Sequence, residues 1–241
     1  MPGSVALVGA GEFLPVMASV DAELLASTGR HRPRVAVLPT ASSPDGETVF
    51  QRWAALGVEH FEGLGAEVEV VPVRGRADAD DPAHAQAVGE ADLVYFSGGK
   101  PDYLLGVLAG SAVWTAALAA NAGGSVIAGC SAGAMVLCAH LARFRTPPHL
   151  PLGFVPGLGL VEGAAVLPHY DRFPETLAAV RVAQAPRGTV VLGIDEDTAA
   201  VGRDGEWVVR GSGRVTVWRG RRRERLRAGD SFRILGRHTE R

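Results

Sequence analysis

Residues Gly123 to Leu137 read GGSVIAGCSAGAMVL, and the rest of the chain is best understood outward from them. Ser125 to Ala128 is short, apolar and partly β-branched, the composition of a buried strand. Ala132 to Leu141 carries strong helix formers and no proline, which predicts a helix. Between them sits Gly129-Cys130-Ser131-Ala132-Gly133, a G-x-S-x-G turn. A sharp strand-to-helix turn needs a strained backbone at its central residue, and small residues two positions to either side so that strand and helix pass close together. The Ser131 hydroxyl then projects from the turn, and the Ala132 amide opens toward the same space at the helix N-terminus. Alone, the pattern reads equally well as a glycine-rich turn packed for structural reasons. The strand before it and the helix after it favour a reactive serine.

Upstream, strand and helix alternate with short connections. Val5 to Val8, Arg34 to Leu38, Val68 to Val73 and Ala91 to Phe96 read as strands. Pro15 to Ser27, Glu47 to Leu64, Pro82 to Val88 with an Asp81 cap, and Tyr103 to Asn121 interrupted near Gly110-Ser111 read as helices; Arg74 to Asp81 reads as a loop. This alternation is the signature of an α/β domain with a mainly parallel sheet, in which ligands bind at the carboxyl ends of the strands. Downstream, Arg143 to Gly163 is rich in proline and glycine and reads as a long loop able to fold over that edge. Ala164 to Leu167 is strand-like and Glu175 to Gln184 helical. Thr189 to Ile194, Ala199 to Val201, Glu206 to Arg210, Arg214 to Arg219 and Ser231 to Leu235 read as short strands punctuated by glycine, an antiparallel tail. No linker or internal repeat divides the chain, so residues 1–241 are expected to form a single domain.

Composition narrows the function. The chain has 241 residues, 47% of them hydrophobic, ample for a buried core. Its net charge of −2 argues against a nucleic-acid partner, and the basic run Arg219 to Arg227 (RGRRRERLR), lying between strand signals, reads as a solvated hairpin. No apolar run reaches the length of a membrane span. Two cysteines, Cys130 and Cys138, suit a reducing compartment, and the N-terminus has no basic n-region or cleavage pattern, so the cytoplasm is expected. Gly9-Ala10-Gly11 resembles the start of a dinucleotide fingerprint, but Leu14 stands in place of the third glycine, and Pro39-Thr40 ends the second strand where an acidic ribose partner belongs. No set of His, Cys and acidic residues has metal-ligand spacing. Neither a metal nor an organic cofactor is therefore expected. Trp53, Trp114, Trp207 and Trp218 lie in no motif and read as packing residues.

A serine hydroxyl needs a base, and the base needs an orienting group. His31, His60, His84 and His238 lie in surface-like or helical contexts, His140 on the helix after the serine, and His149 in the proline-rich loop as a candidate substrate contact. His169, in Val166-Leu167-Pro168-His169-Tyr170, closes a strand-like stretch and opens a polar turn, which would deliver it to the sheet's carboxyl edge; a capping or packing role is the alternative. The acids cluster in Gly193-Ile194-Asp195-Glu196-Asp197-Thr198 at the end of an apolar strand. Three adjacent carboxylates favour a cationic or hydrogen-bonding neighbour, although a solvated acidic turn fits as well. If the strand runs through the motif, Glu196 faces opposite to Asp195 and Asp197, and only one of those faces reaches an imidazole.

Together, Phe96-Ser97-Gly98-Gly99-Lys100, Ile127 to Ala134, Pro168-His169-Tyr170 and Gly193 to Ala199 resemble, in this order, the S51 serine peptidases, a family that includes peptidase E and cyanophycinase. The resemblance spans most of the chain. It implies a flavodoxin-like, class I glutamine amidotransferase-like three-layer α/β sandwich. It also implies Ser131 as nucleophile, His169 as base, Glu196 as acid, and Gly99 and Ala132 as oxyanion-hole amides. That chain order differs from the serine–acid–histidine order of α/β-hydrolases. Lys100 stands where peptidase E has asparagine, and Leu167-Pro168-His169-Tyr170 replaces the Asp-Gln-His-Phe of cyanophycinases. Pro168-His169 is closer to peptidase E, whereas Gly157-Leu158-Gly159-Leu160 is closer to cyanophycinase. The expected reaction is hydrolysis of a short peptide or related amide through an acyl-enzyme on Ser131. Lys100, Arg143, Arg145 and Arg172 are candidate contacts for a substrate carboxylate, or else solvated surface charges. Rival readings are a cyanophycinase-like hydrolase, a Cys130 nucleophile, a small-ester esterase and a binding module without activity. The expected partner is a small peptide-like substrate, with a homodimer open as the assembly.

Overall fold

The computed structural model describes residues 1–143 and 153–234. Up to residue 137 strand and helix alternate. β1 (Val5–Val8) leads through a short 3-10 turn to α1 (Ala18–Ser27), and β2 (Arg34–Leu38) leads to α2 (Glu47–Gly63). β3 (Glu67–Val70) is followed by the single turn α3 (Arg76–Ala79) and by α4 (Pro82–Gly89). β4 (Leu93–Phe96) precedes α5 (Pro101–Leu108) and α6 (Ala112–Ala122), and β5 (Val126–Cys130) precedes α7 (Ala132–Leu137). Helix starts follow local chemistry. Asp81 accepts from the Ala83 amide with Pro82 at the first helical position, and Ser111 accepts from the Trp114 amide to restart the helix after the Gly110 break. Arg74 to Asp81, expected as a loop, holds the α3 turn because Asp78 Oδ2 accepts the amides of Arg74 and Gly75.

The second part of the chain is mostly strand. β6 (His140–Ala142) pairs antiparallel with β7 (Phe154–Pro156), and β8 (Ala164–Leu167) is followed by α8 (Glu175–Ala183). β9 (Val190–Ile194), β10 (Thr198–Arg203), β11 (Glu206–Gly211), β12 (Arg214–Arg219), β13 (Arg222–Arg227) and β14 (Ser231–Arg233) complete the described elements. One sheet has the order β14-β11-β10-β1-β5-β4-β2-β3, the other β13-β12-β9-β8. In the larger sheet β1, β5, β4, β2 and β3 run parallel, and β10, β11 and β14 extend the β1 side antiparallel. The tail thus divides: half continues the main sheet, and half builds a smaller sheet in which β8 and β9 are parallel.

The two faces of the main sheet bury different cores, with the alternation a pleated strand imposes. Val5 and Leu7, Val94 and Phe96, and Ile127 pack with α4 to α6 and the smaller sheet. Ala6 and Val8, Leu93 and Tyr95, and Val126 and Ala128 pack with Val20, Leu24 and Phe61 of α1 and α2. Full burial of one such side chain, Ile127 for instance, stabilises by about 1.5–3 kcal/mol. Trp114, Trp207 and Trp218 are buried packing residues, in line with the sequence reading. Among the described residues no single helix is long and apolar enough to cross a membrane.

One expectation near the serine needs correction, and the condition set on the acidic motif is not met. The helix after Ser131 stops at Leu137 rather than Leu141, and His140 lies on β6. No breaker ends it. The backbone turns extended at Cys138 because Ala139 donates to Val161 and Gly157 donates to Ala139, so tertiary pairing overrides helix propensity. The acidic motif, in turn, is not a continuing strand. β9 ends at Ile194, β10 begins at Thr198, and Asp197 has φ 54°. Side-chain alternation therefore does not apply to Asp195, Glu196 and Asp197.

Candidate active site

β5 lies between β1 and β4, and every residue in it is buried. Register aligns Val8 with Cys130 and Phe96 with Gly129, so the loops after β1, β4 and β5 emerge together at the carboxyl edge. Ser131 follows with φ 48° and ψ −106°, a conformation that costs a non-glycine residue about 1–3 kcal/mol. A Cβ at Gly133 would lie 2.2 Å from the Phe96 carbonyl oxygen, and one at Gly129 would lie 2.5 Å from the Gly133 carbonyl carbon. The small residues of the motif are thus demanded by contact between strand and helix. Gly133→Ala is expected to destabilise the fold by about 1–3 kcal/mol, a fall of about 2–12 °C in melting midpoint. An unchanged midpoint in a thermal melt would show that the elbow has slack.

The other two groups come from the smaller sheet. β8 and β9 are parallel neighbours with Leu167 opposite Gly193, and the residues beyond their carboxyl ends are Pro168-His169 and Asp195-Glu196. His169 is left-handed, with φ 51°, and turns its ring toward the elbow. Its Nε2 lies 3.1 Å from Ser131 Oγ, and its Nδ1 lies 2.9 Å from Glu196 Oε1. An ionised carboxylate only accepts, so Nδ1 carries the hydrogen and Nε2 presents its lone pair to the serine hydroxyl. Arg172 Nη2 donates to Glu196 Oε2 at 3.0 Å, and the Glu196 amide donates to Asp171 Oδ1 at 2.9 Å. The hydrogen bond from His169, with that from Arg172, holds the Glu196 carboxyl below the usual glutamate range. Asp195 is directed elsewhere: its Oδ2 accepts the Arg214 amide at the start of β12, and burial raises its carboxyl pKa.

A cavity of about 380 Å³ opens at this edge, lined by Ser131, His169, Gly99, Ala132, Lys100 and Asp102 with an apolar wall of Pro101, Met135, Pro168 and Phe173. Its volume suits a small ligand. Larger cavities, of about 410 Å³ beside Trp207 and about 1090 Å³ beside Trp218, are lined by no histidine. Gly99 has φ 143°, open to glycine alone, and Ala132 begins α7, where the first amides lack intrahelical partners.

The basic candidates behave differently from one another. Lys100 lines the cavity and its Nζ lies 3.1 Å from Asp45; Arg172 binds Glu196; Arg143 lies outside the cavity lining, its Nε 3.6 Å from Asp102. Arg145, His149 and His238 fall outside the described residues. His60 meets the buried Asp21 at 2.8 Å on the other side of the main sheet, and His84 Nδ1 meets the Asp78 carbonyl. Cys130 is fully buried, and burial beside Glu12 pushes its thiol well above the ordinary value, which disfavours a thiolate nucleophile. Among the described residues no group of three His, Cys or acidic side chains could hold a metal ion. Sequence reasoning passed over Asp171, which follows His169 by two residues, and Phe173; polarity directly after the histidine was the available signal for the first.

The profile of peptidase family S51 matches residues 5–209. Cyanophycinases of Trichormus variabilis and of Nostoc sp. are each 29% identical over 196 residues, which cover 78% of this chain and 64% of theirs. The matched region thus spans a little under two thirds of those relatives. A solved structure of a peptidase from an acI-B1 Actinobacterium is 35% identical, with TM-score 0.87 over 97% of this chain and 98% of that one. A Listeria monocytogenes protein provisionally assigned as peptidase E is 20% identical, with TM-score 0.65 over 88% of this chain and all of that one, a likeness in fold.

Proposed function

The chain belongs to peptidase family S51, and from that membership we propose that it is a serine-type hydrolase of short peptides or related amides, acting through an acyl-enzyme on Ser131. The observation that carries this reading is the hydrogen-bonded series from Ser131 Oγ through His169 to Glu196, at 3.1 and 2.9 Å, on the rim of a cavity. In the proposed reaction Ser131 Oγ bonds to the substrate carbonyl carbon while its proton passes to His169 Nε2. The amides of Gly99 and Ala132 hold the oxyanion, which is worth about 10²–10³-fold in rate per donor. Collapse expels the amine, which takes its proton from His169, and water then releases the acyl group by the same route. Glu196 orients the ring and stabilises its cation. We take residues 1–241 as one domain, because β9 and β10 belong to different sheets and are joined by the turn that carries Glu196.

The substrate class is read from the cavity. Its size favours a short chain, and Lys100, or Arg172 three residues after His169, could meet a carboxylate once released from Asp45 or Glu196. The test is a cleavage screen of dipeptides, peptides with N-terminal aspartate, simple esters and a long polyamide, with Ser131→Ala as control. Turnover of short peptides that the control lacks is expected. Turnover of esters alone would favour an esterase, efficient cleavage within the long polymer would overturn the length preference, and no turnover of any would favour a binding module.

A further inference from the structure

The loop after β1, Gly9-Ala10-Gly11-Glu12-Phe13, begins like a nucleotide fingerprint yet encloses a carboxylate instead. Glu12 is only 7% exposed, and both oxygens of its side chain are used. Oε1 accepts the Gly98 amide at 2.8 Å, and Oε2 accepts the Cys130 thiol at 2.8 Å. Gly98 precedes Gly99, and Cys130 precedes Ser131. One buried side chain therefore bridges the residue before the proposed oxyanion amide and the residue before the proposed nucleophile. The fit is close: a Cβ at Gly98 would lie 2.7 Å from Glu12 Oε1 and 3.4 Å from Ser131 Cβ. The same loop reaches the acidic turn, since Gly9 donates to the Thr198 carbonyl and Asp197 donates to that of Ala10. Phe13, with φ 63°, turns outward from the loop and packs against Tyr95, Trp53 and Phe61, which fixes the direction of Glu12.

We infer that Glu12 is a positioning residue for the hydrolytic site, holding the Gly98-Gly99 turn against the Cys130-Ser131 strand end so that the Gly99 amide and Ser131 Oγ face the same acyl carbon. It touches neither substrate nor reacting atom and acts through the Gly98 amide and the Cys130 thiol. A buried amide and thiol that lose their acceptor must find another, and the turn they sit on shifts to do so. A displacement of an ångström at an oxyanion donor is enough to cost up to about 100-fold in rate. The inference rests on the proposed roles of Ser131 and Gly99.

The test uses a fluorophosphonate, so that no substrate need be known. Ser131 Oγ bonds to phosphorus, fluoride leaves, and the serine proton passes to His169. The saturating rate and half-saturating concentration of labelling are measured for the wild-type chain and for Glu12→Ala, Glu12→Asp and Glu12→Gln, each with its melting midpoint. Glu12→Asp keeps charge but is too short to span the bridge; Glu12→Gln keeps length and an acceptor for Gly98. The expected result is a saturating rate lowered about 10-fold or more in the alanine and aspartate variants, with half-saturation unchanged, and restored to within about 3-fold by glutamine. Wild-type rates in a folded Glu12→Ala or Glu12→Asp would overturn the inference. So would slowing of all three variants in proportion to lost thermal stability, which is the mark of a merely structural residue. If Glu12→Ala does not fold, the aspartate and glutamine pair decides. Ser131→Ala runs alongside: labelling that survives in it defeats the proposed nucleophile, whereas its silence with unaffected Glu12 variants defeats only the bridge.

Discussion

Ser131→Ala is expected to lower kcat/KM by about 10³-fold or more while leaving the chain folded. The change removes one hydroxyl from a turn whose shape is imposed by its surroundings. Strand β5 is buried on both faces, and Gly133 lies against the Phe96 carbonyl whatever side chain stands at Ser131. The hydrogen bond lost to His169 is worth about 0.5–1.5 kcal/mol at most, so the melting midpoint should move by only a few degrees. His169 and Glu196 remain paired without the serine. What disappears is the atom that would carry the acyl group. The measurement is turnover of whichever short peptide the screen identifies, with Cys130→Ala beside it. The buried thiol points to Glu12 rather than into the cavity, so Cys130→Ala, which removes one end of the Glu12 bridge, should cost on the order of 10-fold, well short of the loss expected for Ser131→Ala. An active Ser131→Ala together with a dead Cys130→Ala would transfer the nucleophile to the neighbouring residue.

What the sequence made legible follows from how local each signal is. The Ser131 elbow is a local device: strand composition, two glycines and helix formers lie within one short run, and the structure reproduces its geometry. The alternation of β1 to β4 with their helices is local in the same way. The division of the tail between two sheets was not legible. Nothing in Thr189 to Ile194 or Ala199 to Val201 tells which sheet edge each strand will meet, because that choice depends on pairing with β8 and β1, distant in sequence. The early end of α7 was hidden for the same reason, since it is set by Val161 and Gly157. Glu12 was visible as an acidic residue after an apolar strand, but its two partners lie 86 and 118 residues away.

The acidic turn shows how far a resemblance and a geometry can be pressed separately. Strand alternation left Glu196 and its two neighbours unresolved, and in the structure these residues are not a strand. Glu196 alone meets His169 Nδ1, while Asp195 is tied to the Arg214 amide. Glu196→Gln keeps size and shape but removes the charge that would stabilise the imidazolium, and its amide can offer a hydrogen where Nδ1 already has one. The expected loss in kcat is about 10²–10⁴-fold, with little change in KM. Asp195→Asn and Asp197→Asn should each lose far less. Stability supplies an independent readout. The hydrogen bond from His169 depresses the Glu196 pKa, so the stability this carboxylate contributes is present above the ordinary glutamate pKa and is lost as pH falls through the depressed one. Glu196→Gln should therefore flatten the acid side of the wild-type stability curve as well as slow catalysis. Melting midpoints from pH 7 down to about pH 3, near and below the ordinary glutamate value, test the first effect, and kcat for the three variants on one substrate tests the second. A crippled Asp195→Asn or Asp197→Asn beside a normal Glu196→Gln would move the orienting role to another carboxylate of the turn.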